Sequence, residues 1–178
     1  MKRFYFSTAL AVTAMLALAG NALTREDIRA RMKADLSGYQ EAPPISTKGS
    51  GDFKAQLNEA RDGIEFELNY EDLGVAPLAA HIQFGQPGVN GGILATLCGV
   101  SPKPACPAIG PLTGTLVAAD IQAIVDQGIA LHDFDAALRA IRSGNTYVNV
   151  LSATFIKGEI RGQIRGRHFG QFKEDDDE

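Results

Sequence analysis

Residues 64–70 read Ile-Glu-Phe-Glu-Leu-Asn-Tyr, in which apolar and polar side chains alternate without interruption. The same alternation occurs in residues 53–57, Phe-Lys-Ala-Gln-Leu, and the dipeptide Asp62-Gly63 lies between the two runs. Because successive side chains of a strand point to opposite faces, each run buries one face and exposes the other. Asp-Gly is a frequent turn sequence, so these residues predict a β-hairpin with one apolar and one polar face.

Outward from this hairpin, further short apolar runs are separated by turn residues. They predict strands at residues 79–84, 93–97, 114–117, 147–151 and 158–164. Helical spacing is limited to two short inserts, Asp120–Ile124 and Phe134–Arg142. Asp133 is placed to cap the second insert and Gly144 to end it. Short strands with helices only as inserts predict an all-β, antiparallel sandwich or barrel.

The first 22 residues have the pattern of a secretory signal peptide. Lys2 and Arg3 precede an apolar run from Phe4 to Ala19, and small residues follow it. The alternative is an uncleaved membrane anchor, but the run is shorter than the ~20 residues that a spanning helix needs. We therefore expect export to a periplasm or to the medium, with no membrane span after cleavage.

The rest of the chain divides into three parts. Residues 23–34 are expected to be a linker that contains a short helix, with Thr24 as its N-cap. Residues 35–168 form the expected β domain. Residues 169–178 contain the acidic run Glu174–Glu178, which has nothing to bury, and they are expected to be a solvated, disordered tail.

The two cysteines lie close together in the sequence. Cys98 and Cys106 are separated by seven residues that include two prolines. In an oxidising compartment such an isolated pair most simply forms a disulfide. The alternative is a two-thiolate metal clip, which lacks nearby histidines. We predict the disulfide.

Composition and motif searches exclude several classes of function. The 178 residues carry a formal net charge of −4 and contain no dense Lys/Arg stretch, which disfavours a nucleic-acid binder. The sequence has no phosphate-binding loop, no Gly-x-Ser-x-Gly elbow, no His-Glu-x-x-His and no dinucleotide fingerprint. The prediction therefore favours a non-enzymatic protein without a cofactor, while Glu65 and Glu67, which share one face of a strand, leave catalysis by paired carboxylates open.

Four stretches carry a family resemblance. They are residues 36–44 (Leu-Ser-Gly-Tyr-Gln-Glu-Ala-Pro-Pro), 80–85 (Ala-His-Ile-Gln-Phe-Gly) with Asn90-Gly91, 147–150 (Tyr-Val-Asn-Val) and 158–164 (Gly-Glu-Ile-Arg-Gly-Gln-Ile). In this order they resemble the CHRD domain, a module named after chordin and found in many exported bacterial proteins. The resemblance implies a Greek-key β-barrel or sandwich similar to the immunoglobulin and copper–zinc superoxide dismutase folds. It implies no common activity, because the family has none assigned.

The resemblance also raises a metal-binding alternative. Family members often have histidine where this chain has Gln83 and Leu151, so that this chain retains His81 as one of three possible ligands. A zinc or copper site normally needs three or four good donors. A degenerate copper or zinc site of redox type, using His81 with His132 or acidic side chains, is therefore the second hypothesis.

A row of polar side chains is the candidate binding surface. Glu159, Arg161 and Gln163 share one face of the last predicted strand, and Asn149 projects from the strand before it. In the functional interpretation, these side chains would bind a partner or a carboxylate, because the guanidinium of arginine offers several hydrogen-bond donors in one plane. As a structural row, Arg161 would pair with Glu159 of a neighbouring strand or with Glu41, and Asn149 would tie a loop to the sheet. Both interpretations stay open.

The first hypothesis for function follows from these observations together. We expect an exported, non-enzymatic β domain that binds an extracellular or periplasmic protein, or an envelope component, through sheet edges and loops. The loop region Gly85–Cys106 is the expected contact surface, because it is long, rich in Gly and Pro, and held by the disulfide.

Overall fold

The computed structural model describes residues 31–166. The signal peptide expected at residues 1–22, most of the expected linker and the acidic tail lie outside the described residues. The cleavage site of the signal peptide and the expected C-terminal boundary at residue 168 therefore stay predictions.

The described chain is built from nine strands and one α-helix. The strands are β1 (Arg31–Ser37), β2 (Ser50–Leu57), β3 (Gly63–Glu71), β4 (Pro77–Phe84), β5 (Gly92–Cys98), β6 (Leu112–Val117), β7 (Thr146–Ser152), β8 (Ile160–Gln163) and β9 (Arg165–Gly166), and the helix α1 spans Phe134–Arg142. Every strand that the alternation predicts is present.

The strands form one antiparallel sheet that curls into a nearly closed barrel. Its order is β5-β4-β7-β8-β1-β2-β3-β6, and β9 pairs with β1. The chain that follows β6 pairs with β5 at Ile121 and Ala95, which brings the two ends of the sheet together. Because β6 returns beside β3 and β7 returns beside β4, the connections have the crossed pattern of a Greek key. The predicted all-β antiparallel fold is confirmed.

The predicted hairpin is β2 and β3. In its register Phe53 lies opposite Leu68 and Ala55 lies opposite Phe66, and all four side chains are buried. The rings of Phe53 and Phe66 stack with their centroids 6.2 Å apart. Apolar burial on this inner face is the main stabilising contribution of the hairpin, since it removes three large side chains and one methyl group from water.

The helix expected within residues 23–34 is wrong for residues 31–34, which belong to strand β1. Met32, Ala34 and Leu36 are buried, whereas Arg31 and Lys33 are exposed. This spacing of two matches the pleat of a strand and places three side chains in the core. Core packing therefore outweighs the weak helix signal at Thr24.

The helix expected at Asp120–Ile124 is also wrong. The chain makes a single 3-10 turn at Ala118–Asp120, where the Asp120 carboxylate accepts a hydrogen bond from the Val117 N–H at 3.0 Å. The following residues extend along β5, because the Gln122 N–H donates to the Leu94 carbonyl at 2.9 Å. Pairing with an otherwise open strand edge therefore replaces the helix.

The remaining local predictions are confirmed. Asp133 caps α1 by accepting the Ala136 N–H at 2.8 Å, and Gly144 follows the helix with φ at 74°. Cys98 and Cys106 form the disulfide, with their Cα atoms 5.0 Å apart. Within residues 31–166, α1 is too short to cross a membrane and no longer apolar helix occurs.

Candidate functional site

The outward side chains of β4, β7 and β8 form a polar layer. Their inward neighbours Ala80, Ile82, Val148, Val150 and Ile160 belong to the apolar core. The outward set, called the polar layer below, comprises His81, Gln83, Tyr147, Asn149, Arg161 and Gln163, together with Glu159 at the start of β8. Two loops, residues 38–47 and 85–91, are bonded to this layer, as the contacts below describe.

Arg161 is the centre of the layer. Its side chain is 1% exposed, and its guanidinium lies 3.4 Å from the centre of the Tyr147 ring. Its Nη2 donates to the carbonyls of Gln86 and Val89, both at 2.9 Å, and its Nη1 donates to Asn90 Oδ1 at 3.4 Å. Burial lowers the pKa of Arg161 from its usual value. These bonds tie a buried cation to the main chain of the loop 85–91.

Three further side chains of the polar layer hold the same loop. The Gly91 N–H donates to the Tyr147 hydroxyl at 3.1 Å, and Gln83 Nε2 donates to the Gly91 carbonyl at 3.3 Å. Gln163 Nε2 donates to the Gly85 carbonyl at 3.0 Å. Since both ends and the middle of the loop are bonded, its conformation is fixed before any ligand arrives.

The loop 38–47 is fastened to the same layer. Asn90 Nδ2 donates to the Ala42 carbonyl at 2.9 Å, which connects the two loops directly. Glu159 Oε1 accepts the Thr47 hydroxyl at 2.9 Å and the Gly74 N–H at 3.3 Å. Asn90 and Glu159 therefore set the distance between this loop and the loop 85–91.

Between the two loops lies a groove with a volume of about 520 Å³. It is lined by Tyr39, Gln40, Glu41, Ala42, Pro43, Pro44, Pro87, Gly88, Arg161 and Gln163. Prolines and the ring of Tyr39, which is 69% exposed, form apolar walls. Arg161 and Gln163 supply polar groups at its base. The groove thus combines rigid apolar walls with a polar, preorganised base.

Glu41 is a buried acid beside this groove. It is 6% exposed, and burial raises its pKa to about 7, although Arg161 acts in the opposite direction. Its Oε1 and the Oδ1 of Asn149 are buried and have no hydrogen-bond partner among the described residues. Both oxygens pack against Gly158, where an added Cβ would collide with them. Burial disfavours the charged carboxylate, and the protonated form of Glu41 would add a donor to this cluster of acceptors.

The predicted binding row is distributed between the groove and the interior. Glu159, Arg161 and Asn149 are 1%, 1% and 3% exposed, and Gln163 is half-buried. Asn149 Nδ2 donates to Gln83 Oε1 and to the Lys157 carbonyl, both at 2.9 Å. Arg161 and Gln163 line the groove, whereas Glu159 and Asn149 hold other parts of the chain. Contact of this row with a partner stays a prediction.

His81 lies on the same outer face of β4. It is 5% exposed, and its Nδ1 is 3.2 Å from the Thr96 hydroxyl oxygen. Burial lowers its pKa. His132 is exposed in a turn with φ at 62°, and Leu151 is half-buried. Among residues 31–166 there is no group of three or more His, Cys, Asp or Glu side chains arranged to hold a metal ion.

Sequence reasoning missed four contributors to the site. The sequence indicated Asn90 as a turn residue, Tyr147 as a strand position, and Gln83 as a strand position where CHRD domains often have histidine. Tyr39 carried no signal beyond its place in the stretch 36–44. Alternation could have indicated two of them. When β4, β7 and β8 are neighbours in the sheet, it places Gln83 and Tyr147 on the same outer face as Arg161. That neighbourhood depends on topology, which local sequence does not specify.

Comparison with known families decides the relationship. The family model described as the CHRD domain matches residues 32–164, most of the chain. The chain belongs to the CHRD domain family. The four CHRD-like stretches contain the whole polar layer and most of the groove lining; Pro87 and Gly88, which also line the groove, lie outside them. No curated protein and no solved structure matched the chain.

Proposed function

We propose that this CHRD domain is an exported, non-enzymatic binding module whose groove receives an extended segment of a periplasmic or extracellular protein. The observation that carries the proposal is the preformed groove between two loops, both bonded to the buried Arg161 or to its neighbour Asn90. A ligand that enters it need not order these loops, so little of its binding free energy is lost to conformational entropy.

The lining of the groove favours a peptide segment with apolar side chains. Tyr39 offers a large exposed ring, and Pro43, Pro44 and Pro87 offer rigid apolar surface. Rigid side chains of this kind contribute contact area at low entropic cost, and tyrosine is enriched among residues that dominate interface energetics. At the base, the Gln163 amide donates to the Gly85 and Gly144 carbonyls at 3.0 and 2.8 Å, so that it fixes the shape of the groove.

Three observations support the compartment. The N-terminal 22 residues have the order of a secretory signal, the described chain holds the disulfide Cys98–Cys106, and CHRD domains are of exported type. An oxidising compartment outside the cytoplasm accounts for the disulfide and the signal together.

Site-specific photo-crosslinking in the producing cell tests the proposal. A benzophenone amino acid replaces Tyr39 in one variant and Val125, an 81% exposed residue outside the groove lining, in the matched control. We expect a discrete protein adduct from position 39 in the exported fraction and none of the same mass from position 125. The same adducts from both positions, or no adduct from position 39, would contradict the proposal.

Once the adduct has been identified, a second variant measures how much the groove contributes to the affinity for that partner. Tyr39→Ala removes the exposed ring without disturbing a buried contact, so the melting temperature should stay unchanged. Binding of the identified partner should weaken about 10- to 30-fold, as expected for a truncated aromatic interface residue. An unchanged affinity would place the contact outside the groove.

A further inference from the structure

A second concave surface lies on the outer face of the β9-β1-β2-β3-β6 part of the sheet. It has a volume of about 700 Å³ and shares no lining residue with the groove. We call it the trough; it is lined by Arg31, Met32, Lys33, Lys54, Ala55, Gln56, Glu65, Phe66, Glu67, Thr113, Arg165 and Gly166. Cations occupy the end formed by β9, β1 and β2, and acids occupy the end formed by β3.

The basic end of the trough contains like charges on adjacent strands. In the sheet register Lys33 lies opposite Lys54 on one side and opposite Arg165 on the other, with Arg31 on the same face of β1. Like charges directly opposite each other on neighbouring strands destabilise a sheet. Lys54 Nζ has a carboxylate partner, Asp52 Oδ2 at 3.1 Å.

The other three cations of the basic end lack such a partner. Within residues 31–166, no carboxylate forms an ion pair with Arg31, Lys33 or Arg165. All three are exposed. A polyanion placed here would relieve the repulsion between them and would form several ion pairs at once.

We propose that the acidic segment Glu174–Glu178 of this same chain binds at the basic end of the trough. The segment reads Glu-Asp-Asp-Asp-Glu, so five carboxylates face four cations. Strand β9 ends at Gly166, which itself lines the trough. The residues that connect the sheet to the segment therefore start at the surface that the segment would cover.

The connecting length is sufficient for this contact. Residues 167–173 join Gly166 to the segment, and an extended chain of this length reaches about 25 Å. The distance across the sheet from β9 to β2 is two strand spacings, about 10 Å. Because the segment is tethered, its effective concentration at the trough is in the millimolar range, so individually weak surface ion pairs are enough to populate the contact.

Binding of this segment has a functional consequence. It would occupy the basic end against other anionic ligands, and the occupancy would fall as salt is added, because exposed charges are screened within about 10 Å at 0.1 M salt.

Zero-length crosslinking with a carbodiimide tests the proposal on the full chain. The reagent joins a carboxylate to an amine that it contacts, and mass spectrometry identifies the pair. At about 20 mM salt we expect crosslinks from the segment to Lys33 and Lys54 to exceed those to Lys48 and Lys157 at least 5-fold; both control lysines are exposed and lie outside the trough. At 0.5 M salt this excess should disappear.

Two controls separate the segment from other occupants. Arg31→Gln combined with Arg165→Gln keeps the reactive lysines and should reduce the crosslinks at least 3-fold, whereas Lys48→Gln combined with Lys157→Gln should leave them unchanged. Mixing isotope-labelled and unlabelled chains should give crosslinks within one chain. Equal crosslinking of all four lysines, crosslinks between labelled and unlabelled chains, or insensitivity to the arginine substitutions would overturn the proposal.

Discussion

Apolar and polar side chains alternate in both halves of the sheet, but the outward polar side chains are exposed in one half and buried in the other. In the hairpin half, the outward side chains of β1, β2 and β3, such as Lys33, Lys54 and Glu67, are exposed to solvent. In the half formed by β4, β7 and β8, the outward side chains Asn149 and Arg161 are as buried as the core. The inward faces of both halves are apolar and continuous with one core.

The difference lies in what covers each outer face. Loops 38–47 and 85–91 are bonded to the second half, so its outward polar groups exchange water for main-chain carbonyls and N–H groups. Burying a polar group is costly unless it is hydrogen-bonded, and each of these bonds to a loop fixes that loop. The outward side chains of the covered half therefore fix the positions of the two loops. Those of the uncovered half are in solvent and provide surface charge.

The largest effect is expected from removing the buried cation. Arg161→Ala leaves the Gln86 and Val89 carbonyls without their donor and empties the space over Tyr147. We expect a loss of about 3–5 kcal/mol in the free energy of unfolding, measured by urea denaturation. Lys33→Ala on the uncovered half is the control and should change stability by less than about 0.5 kcal/mol. Similar losses for both variants would remove the distinction between the halves.

A smaller loss is expected at Gly158, where the covered face allows no side chain. Its φ is 140°, and a Cβ would collide with Glu41 Oε1 and Asn149 Oδ1. Gly158→Ala should therefore lower the free energy of unfolding by about 2–4 kcal/mol. Gly166→Ala, on the uncovered half, meets nothing within 4 Å and should be nearly neutral. A neutral Gly158→Ala in the same urea titration would contradict the tight packing of these two oxygens.

The smallest effect is a pH dependence from Glu41. Its pKa in the folded state is about 7, above the ordinary value of 4.5, so the folded state holds the proton more tightly than the unfolded state. The free energy of unfolding should therefore fall as pH rises from about 4.5 to 7 and change no further above that range. With partial solvent screening of the carboxyl, the fall is about 1–2 kcal/mol.

Glu41→Gln should remove this contribution. The difference in unfolding free energy between variant and wild type, measured from pH 4 to 8, should grow in favour of the variant as pH rises through that window. Glu65→Gln on the hairpin is the matched control. If the difference in unfolding free energy depended on pH in the same way for both variants, burial in the covered half would not raise the pKa of Glu41.

Local sequence was sufficient for the parts of the fold that depend on local rules. Alternation found the hairpin, the Asp133 cap and Gly144 bounded α1, and the spacing of Cys98 and Cys106 indicated their disulfide. It failed at residues 31–34 and at Asp120–Ile124 because partners distant in sequence, β2 and β5, determine the conformation there. Tertiary pairing outweighs local propensity at such segments.

The site was less predictable than the fold for a related reason. Alternation assigned an outward face to the row Glu159, Arg161, Gln163 and Asn149. Whether an outward face is exposed to solvent or buried depends on the loops that cover it. The burial of Arg161 follows from carbonyls at Gln86 and Val89, more than seventy residues away in sequence. The sequence alone does not show that residues so far apart in the chain are in contact. Both the functional and the structural interpretation of the row were therefore compatible with the sequence.

Amide hydrogen exchange of the wild-type chain measures whether the polar layer holds the loop 85–91 in place. The Gly91 N–H bonds to the Tyr147 hydroxyl under the covered face, and the Asp62 N–H bonds to Asn58 Oδ1 in the exposed hairpin turn, each at 3.1 Å. If the polar layer fixes the loop 85–91, Gly91 should exchange about 100-fold more slowly than Asp62 after correction for intrinsic rates. Equal rates at the two amides would show that the groove wall opens as readily as a surface turn, and the account of a preformed groove would be wrong.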